Sequence, residues 1–179
     1  MHRDRHRFKA LLDSAAVMFS MLLFSLSANP GRTAPDFAGS VLAAHNRERM
    51  RLGLAGLDWS DRLAGEAAQW ARKLASEGRL RHANQQERAG AGENLWMGTS
   101  GFYDTETIIG TFTDEKALFV SGSFPHVSRS GRWQDVGHYT QIIWPDTREV
   151  GCATAEAQGR EVVVCRYWPA GNWVGHTVG

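Results

Sequence analysis

The chain has 179 residues, a length that suits one domain plus a short extra segment. Hydrophobic residues make up 42% and charged residues 22%, so a packed core can form without metal or many crosslinks, and seven Trp and eight Phe supply much of its volume. The formal net charge is +1, with a surplus of about +2 in the first 28 residues, where Arg3, Arg5, Arg7 and Lys9 outnumber Asp4 and Asp13. The remainder is nearly neutral and has no basic stripe, which argues against nucleic acid as a partner.

Residues 1–28 read as an export signal. Met1 to Lys9 is basic, an apolar run follows between Ser14 and Leu26, and Ser25, Ser27 and Ala28 are small. The run is about 13 residues against the roughly 20 that a bilayer needs, so no transmembrane span is expected in the mature chain. An uncleaved signal anchor is the alternative. The expected location is extracellular, or periplasmic in a Gram-negative cell. Residues 29–35 (NPGRTAP) have the composition of a linker, leaving 36–179 as the domain.

A first helix is expected from Asp36 to near Gly53, with Phe37, Val41, Leu42, Ala44, His45 and Arg49 at helical spacings. Ser60 suits the N-cap of a second, where Leu63, Ala67, Trp70, Ala71 and Leu74 form one stripe and Gly78 ends it. Residues 79–92 are polar and irregular, and Glu93 to Met97 fits a short strand. Asp104 caps a third helix running to about Phe119, whose inward face reads Ile108, Phe112, Glu115 and Phe119. A carboxylate on such a stripe is costly unless it reaches an edge of the core or finds a partner. A loop from Ser121 to Val136 then leads to a short helical stretch from His138 to Trp144.

The clearest β signal comes last. Val150–Glu156 and Glu161–Tyr167 flank Ala157-Gln158-Gly159-Arg160, a hairpin turn with Gly where positive φ is needed. With Gln158 and Gly159 at the centre, Cys152 and Cys165 fall opposite each other as a close, non-hydrogen-bonded pair. Export leads to an oxidising compartment, so one Cys152–Cys165 disulfide is predicted in preference to two free thiols.

Two segments are more specific. Gly137-His138-Tyr139-Thr140-Gln141-Ile142-Ile143-Trp144-Pro145-Asp146-Thr147 and Val163-Val164-Cys165-Arg166-Tyr167-Trp168-Pro169-Ala170-Gly171-Asn172-Trp173 closely resemble two signatures of the CAP superfamily. That group takes in cysteine-rich secretory proteins, antigen five and pathogenesis-related proteins of group one, and its domain is also called SCP. His45-Asn46-Arg47-Glu48-Arg49 and Gly92-Glu93-Asn94-Leu95 support the resemblance, in the order the family requires. It implies an α+β fold, a three-layer α-β-α sandwich with a small antiparallel sheet between helices. It also implies a cleft tetrad of His82, Glu93, Glu115 and His138, with His82 and His138 as ligands for Zn2+ or another divalent cation. Ala83 stands where the family often has Ser, and Phe112 where a Trp is common.

Three functional readings follow. The cleft binds a cation, or a small apolar or glycan ligand, with Trp96, Phe102, Tyr103, Trp133 and Trp168 as candidate groove residues whose plainer role is packing. Alternatively, Glu93 or Glu115 activates metal-bound water for peptidase-like hydrolysis, although no Gly-x-Ser-x-Gly or His-Glu-x-x-His motif is present. Thirdly, the domain is an effector or defence scaffold acting through a protein partner. Catalysis is the weaker expectation, since fold alone does not imply it. His45 reads as a structural histidine on the packed face of its helix. Arg47, Glu48, Arg49 and Arg51 read mostly as a solvated helix face, and Gly171-Asn172 as a turn. His2, His6, His126 and His176 carry no pattern.

Overall fold

The computed structural model describes residues 34–179. The predicted signal peptide and most of the predicted linker lie outside the described residues. The first helix, α1, runs Ala34–Arg51 and so begins two residues before Asp36. Its buried residues include Phe37, Val41, Ala44, His45, Glu48 and Arg49, one face at helical spacing.

Strand β1 (Asp58–Trp59) leads into α2 (Asp61–Glu77), which buries Leu63, Ala67, Trp70, Ala71 and Leu74 as the stripe predicts. Gly78 ends it in the left-handed conformation, its N–H returning to Leu74 and Ala75 carbonyls. Ser60 occupies the N-cap position but its side chain makes no capping bond; its N–H is instead spent on Val150 of the sheet.

Strand β2 (Gly92–Thr99) precedes α3 (Thr105–Thr113), capped by Asp104 through Thr107 N–H at 2.7 Å. The expected helix to Phe119 is not continuous. After Thr113 the chain tightens into a 3-10 turn, Asp114–Ala117. That change of pitch directs the Glu115 carboxylate at the start of α4 (Gly137–Ile142), where backbone N–H groups await an acceptor.

The long loop between holds β3 (Gly122–Ser123) and a 3-10 turn, Trp133–Asp135. Strands β4 (Glu149–Ala157) and β5 (Arg160–Trp168) form the predicted hairpin, and β6 (Thr177–Val178) pairs with β3. Gln158 and Gly159 form its two-residue turn with φ of 53° and 74°. This register sets Cys152 opposite Cys165, and a disulfide joins them with 4.1 Å between Cα atoms.

The main sheet has the order β1-β4-β5-β2. It is mixed rather than wholly antiparallel, because β1 pairs parallel with β4 over two residues. Helix α2 covers β4 and β5 on one face, with Trp70 and Leu74 packed on Leu95, Val162 and Val164. The other face carries α1, α3 and α4, with Val41, Ile108, Phe112, Ile142 and Trp144 packed on Val163, Cys165 and Tyr167. Central β5 is thus buried on both faces, which is why its sequence reads as a nearly unbroken apolar run.

The Arg49 prediction fails. Arg49 is 0% exposed. Its guanidinium donates to the carbonyls of Ala55, Ile142, Trp144 and Thr147 at 2.7–3.1 Å, stitching α1 to the end of α4 and the loop after it. Ile142 O closes α4 without an intrahelical partner and the other three carbonyls lie in loops, so a five-donor cation satisfies several scattered acceptors at once. Burial lowers its pKa to about 10, which leaves it charged at neutral pH. Glu48 is also buried, paired with Arg51 at 2.7 Å and Lys116 at 2.9 Å.

Candidate functional site

A cleft of about 530 Å3 opens at the edge of the sheet where β2, α4 and the segment after β5 meet. His82, Glu93 and His138 line it, and Glu115 stands directly behind His138. The four predicted residues therefore meet as two imidazole–carboxylate pairs.

His82 lies in the irregular segment after α2, and its Nδ1 is 2.7 Å from Glu93 Oε1. That oxygen also accepts from Ala83 N–H at 3.0 Å, so the alanine beside the histidine contributes through its backbone. Glu93 Oε2 lies 3.0 Å from Arg166 Nη2, an ion-pair contact outside hydrogen-bond geometry. Both partners are buried, whereas the His82 side chain is 61% exposed.

His138 is the second residue of α4, with Nδ1 2.5 Å from Glu115 Oε1. Glu115 Oε2 accepts from the N–H groups of His138 and Tyr139 at 2.9 and 3.0 Å. One carboxylate thus caps α4 and orients its histidine. Phe112 stacks on the His138 ring at 4.7 Å, which answers why an aromatic residue sits three positions before Glu115.

The tautomer follows from these contacts. A carboxylate accepts, so each Nδ1 carries a proton, and in the neutral ring each Nε2 keeps the lone pair. Neither Nε2 has a hydrogen-bond partner among the described residues. No cluster of three or more His, Cys, Asp or Glu is arranged to hold a metal among the described residues.

A chain of buried polar groups anchors the floor. His45 Nδ1–H donates to Val41 O at 2.8 Å, so its Nε2 accepts from the Tyr167 hydroxyl, also at 2.8 Å. Burial lowers the His45 pKa to about 4 and raises that of Tyr167, keeping both neutral. Asn94 Nδ2 donates to Tyr167 Oη and to His138 O, each at 3.1 Å. The structural reading of His45 holds. In the Gly171-Asn172 turn, Gly171 N–H donates to Gln141 Oε1 and Asn172 Nδ2 to Gly137 O, both at 2.9 Å.

Of the five aromatic groove candidates, Trp133 lines the cleft. Trp168 flanks it, since its ring lies beside Gly90 in the cleft wall. Trp96, Tyr103 and Phe102 stack edge to face as a separate cluster, at centroid distances of 5.3 and 4.9 Å. Sequence reasoning missed Arg166 and Trp173. The signal for Arg166 was present, as a charge inside the apolar run of β5.

Together these features define an α-β-α sandwich whose sheet edge carries a cleft with two carboxylate-held imidazoles. The chain belongs to the CAP, or cysteine-rich secretory protein, family, whose model matches residues 42–167. It is 32% identical over 167 residues to pathogenesis-related protein 1A of Nicotiana tabacum, covering 93% of this chain and 94% of that one. Over 140 residues it is 32% identical to the human Golgi-associated plant pathogenesis-related protein 1, covering 78% of this chain and 86% of that one. The solved structure of NaASP2 with Zn2+ shares the fold, with a TM-score of 0.67 at 23% identity over 83% of this chain and 87% of that one. No described helix is long and apolar enough to cross a membrane.

Proposed function

We propose that this is an exported CAP-domain protein whose cleft takes up a divalent cation, Zn2+ or one of similar chemistry, between Nε2 of His82 and Nε2 of His138. The observation that carries this reading is the anchoring of both Nδ1 atoms by Glu93 and Glu115. A carboxylate on the far ring nitrogen fixes the tautomer and raises the basicity of the ligating one. Neutral imidazole is a good ligand for Zn2+. With two protein ligands the site is weak and exchangeable, and water completes the shell. A cation held there supplies a Lewis-acidic centre with positions open to oxygen ligands. NaASP2, a structural neighbour, has been solved with Zn2+.

Hydrolysis is less well supported. Glu93 and Glu115 are the candidate bases; both Glu115 oxygens and Glu93 Oε1 already accept from fixed donors, and Glu93 Oε2 is buried against Arg166. Export is supported by the basic-then-apolar N-terminus and by a disulfide, which persists in oxidising compartments.

Calorimetric titration of Zn2+ into the metal-free protein should show one site per chain. His82→Ala and His138→Ala should each abolish it. Equal uptake by wild type and both variants overturns the reading.

A further inference from the structure

The main sheet treats its two edges differently. Among the described residues β2 has one strand neighbour, β5, and pairs with it from Gly92↔Tyr167 to Thr99↔Arg160 without a bulge. An edge strand offers a row of backbone donors and acceptors, and proteins ordinarily guard it with charge, proline, a bulge or a cover. The opposite edge is guarded, since β1 pairs with the start of β4 and Glu156 stands near its end. The first half of β2 is buried where it meets α4 and the cleft. Its last five residues, Leu95-Trp96-Met97-Gly98-Thr99, have no charge, no proline and no bulge. Exposure rises along them, from buried Leu95 through half-buried Trp96, Met97 and Gly98 to exposed Thr99.

The pairing pattern fixes which backbone groups face outward. Cys152 and Cys165 are a close, non-hydrogen-bonded pair between β4 and β5, so on its other side Cys165 exchanges hydrogen bonds with Asn94. By alternation, Asn94, Trp96 and Gly98 turn their N–H and C=O groups to β5, while Leu95, Met97 and Thr99 turn theirs away from the sheet. Among the described residues, no backbone hydrogen bond made outside the sheet uses Leu95 or Met97, and the Thr99 carbonyl accepts from Phe102 N–H.

This segment is complementary to itself. In an antiparallel pairing about a two-fold axis at Met97, Met97 meets its own copy, Leu95 meets Thr99, and Trp96 meets Gly98. The outward groups of Leu95, Met97 and Thr99 then fall opposite one another as hydrogen-bonded pairs. No charge meets a like charge. The bulkiest side chain of the segment faces the one residue that has none. The Trp96 ring lies along its own strand over Gly98, where a Cβ would come within 2.3 Å of it, and Tyr103 packs on it edge to face at 5.3 Å. Two such rings can therefore lie side by side across the axis.

We propose that the Leu95–Thr99 edge is a docking surface for a second copy of this chain, which joins two four-stranded sheets through β2 into one continuous sheet. A peptide of unrelated sequence would find the same backbone groups but not the match of Trp96 to Gly98. Phe102, 73% exposed and stacked on Tyr103, adds apolar surface at the end of the segment. Five residues of strand span only about 17 Å, so the contact is small and the dimer is a weak one that forms as concentration rises. The surface is separate from the cleft, whose β2 residues are Gly92, Glu93 and Asn94.

The test is sedimentation velocity of the purified full chain from about 1 μM to about 1 mM, with a chelator present so that the result is independent of Zn2+. The wild type should pass from monomer to dimer across this range. Met97→Lys and Met97→Glu each set like charges against one another on the axis, and each should raise the dissociation constant about tenfold or more. An equimolar mixture of the two variants should recover the dimer, because Lys then faces Glu. Circular dichroism should confirm that each variant is folded. Hydrogen exchange should find the Met97 amide of the wild type open in dilute solution and protected in concentrated solution. The proposal is overturned if the wild type stays monomeric throughout, if the single variants associate as the wild type does, or if mixing them restores nothing. A Met97 amide already protected in dilute solution also overturns it, since the edge is then covered within the monomer.

Discussion

Replacing Glu93 by Gln keeps the side chain's shape and an oxygen for His82 and Ala83, but deletes the charge facing Arg166. The two side chains are 0% and 1% exposed, with 3.0 Å between Nη2 and Oε2. Arg166 Nε and Nη1 have no hydrogen-bond partner, so Glu93 is its closest compensation. Burial already holds the Arg166 pKa below its ordinary value, with the charges of Glu93 and Glu66 opposing the fall. Breaking a buried pair by removing one partner costs about 3–5 kcal/mol. The remaining charge on Glu66 places the expectation at the lower end, about 3 kcal/mol. Glu115→Gln makes the same change in a carboxylate held by an imidazole and two backbone N–H groups, and it should cost about 1 kcal/mol. Urea unfolding at pH 7 measures both. For a domain of this size the Glu93→Gln loss corresponds to a melting point roughly 10 °C lower. Adding Arg166→Met to Glu93→Gln should recover at least about 1 kcal/mol, because the two effects are coupled. If Glu93→Gln costs no more than Glu115→Gln, the buried pair is not what supports the His82 arm.

His45 titrates with a folded pKa of about 4 against an ordinary 6.5. Between those values the unfolded chain binds a proton that the folded chain does not, so stability falls as pH drops through this window, by up to about 3 kcal/mol. Unfolding free energies measured from pH 7 to 4 should show this slope, and His45→Gln should flatten it. Gly92→Ala would place a Cβ 2.1 Å from Gln141 Oε1 and 2.7 Å from its Cδ, displacing the side chain that accepts from Gly171 N–H. The expected cost is about 2 kcal/mol. Hydrogen exchange should show the Gly171 amide losing protection, and an unchanged Gly171 would mean that Gln141 does not hold that turn.

Local signals made much of this legible. The α2 stripe, the Gly78 stop and the Gln158-Gly159 turn are decided within a few residues, and the cysteine pairing follows from the turn by counting. Glu115 stood out because a carboxylate on an apolar helix face needs a partner, and His138 is that partner. What was not legible depends on distant chain. Arg49 looks like a surface arginine beside Arg47 and Arg51 until α4 ends above it and its carbonyls need donors. The shift to a 3-10 turn after Thr113 has the same origin, since the acceptor it places serves N–H groups more than twenty residues later. Propensity along the chain contains neither demand.

The two arms of the site belong to different layers, and one strand joins them. Glu93 and Asn94 are consecutive on β2, so their side chains leave opposite faces of the sheet. Glu93 goes to the α2 face, where it meets Arg166 and holds His82. Asn94 goes to the other, where it ties the His138 carbonyl to Tyr167 and so to His45 of α1. The position of each histidine is therefore referred to the pleat of β2 rather than to the irregular segments around it. A slip of one residue between β2 and β5 would exchange the faces and release both arms together. Side chains drawn from a loop and a six-residue helix thus gain the fixity of a sheet, which neither segment has by itself.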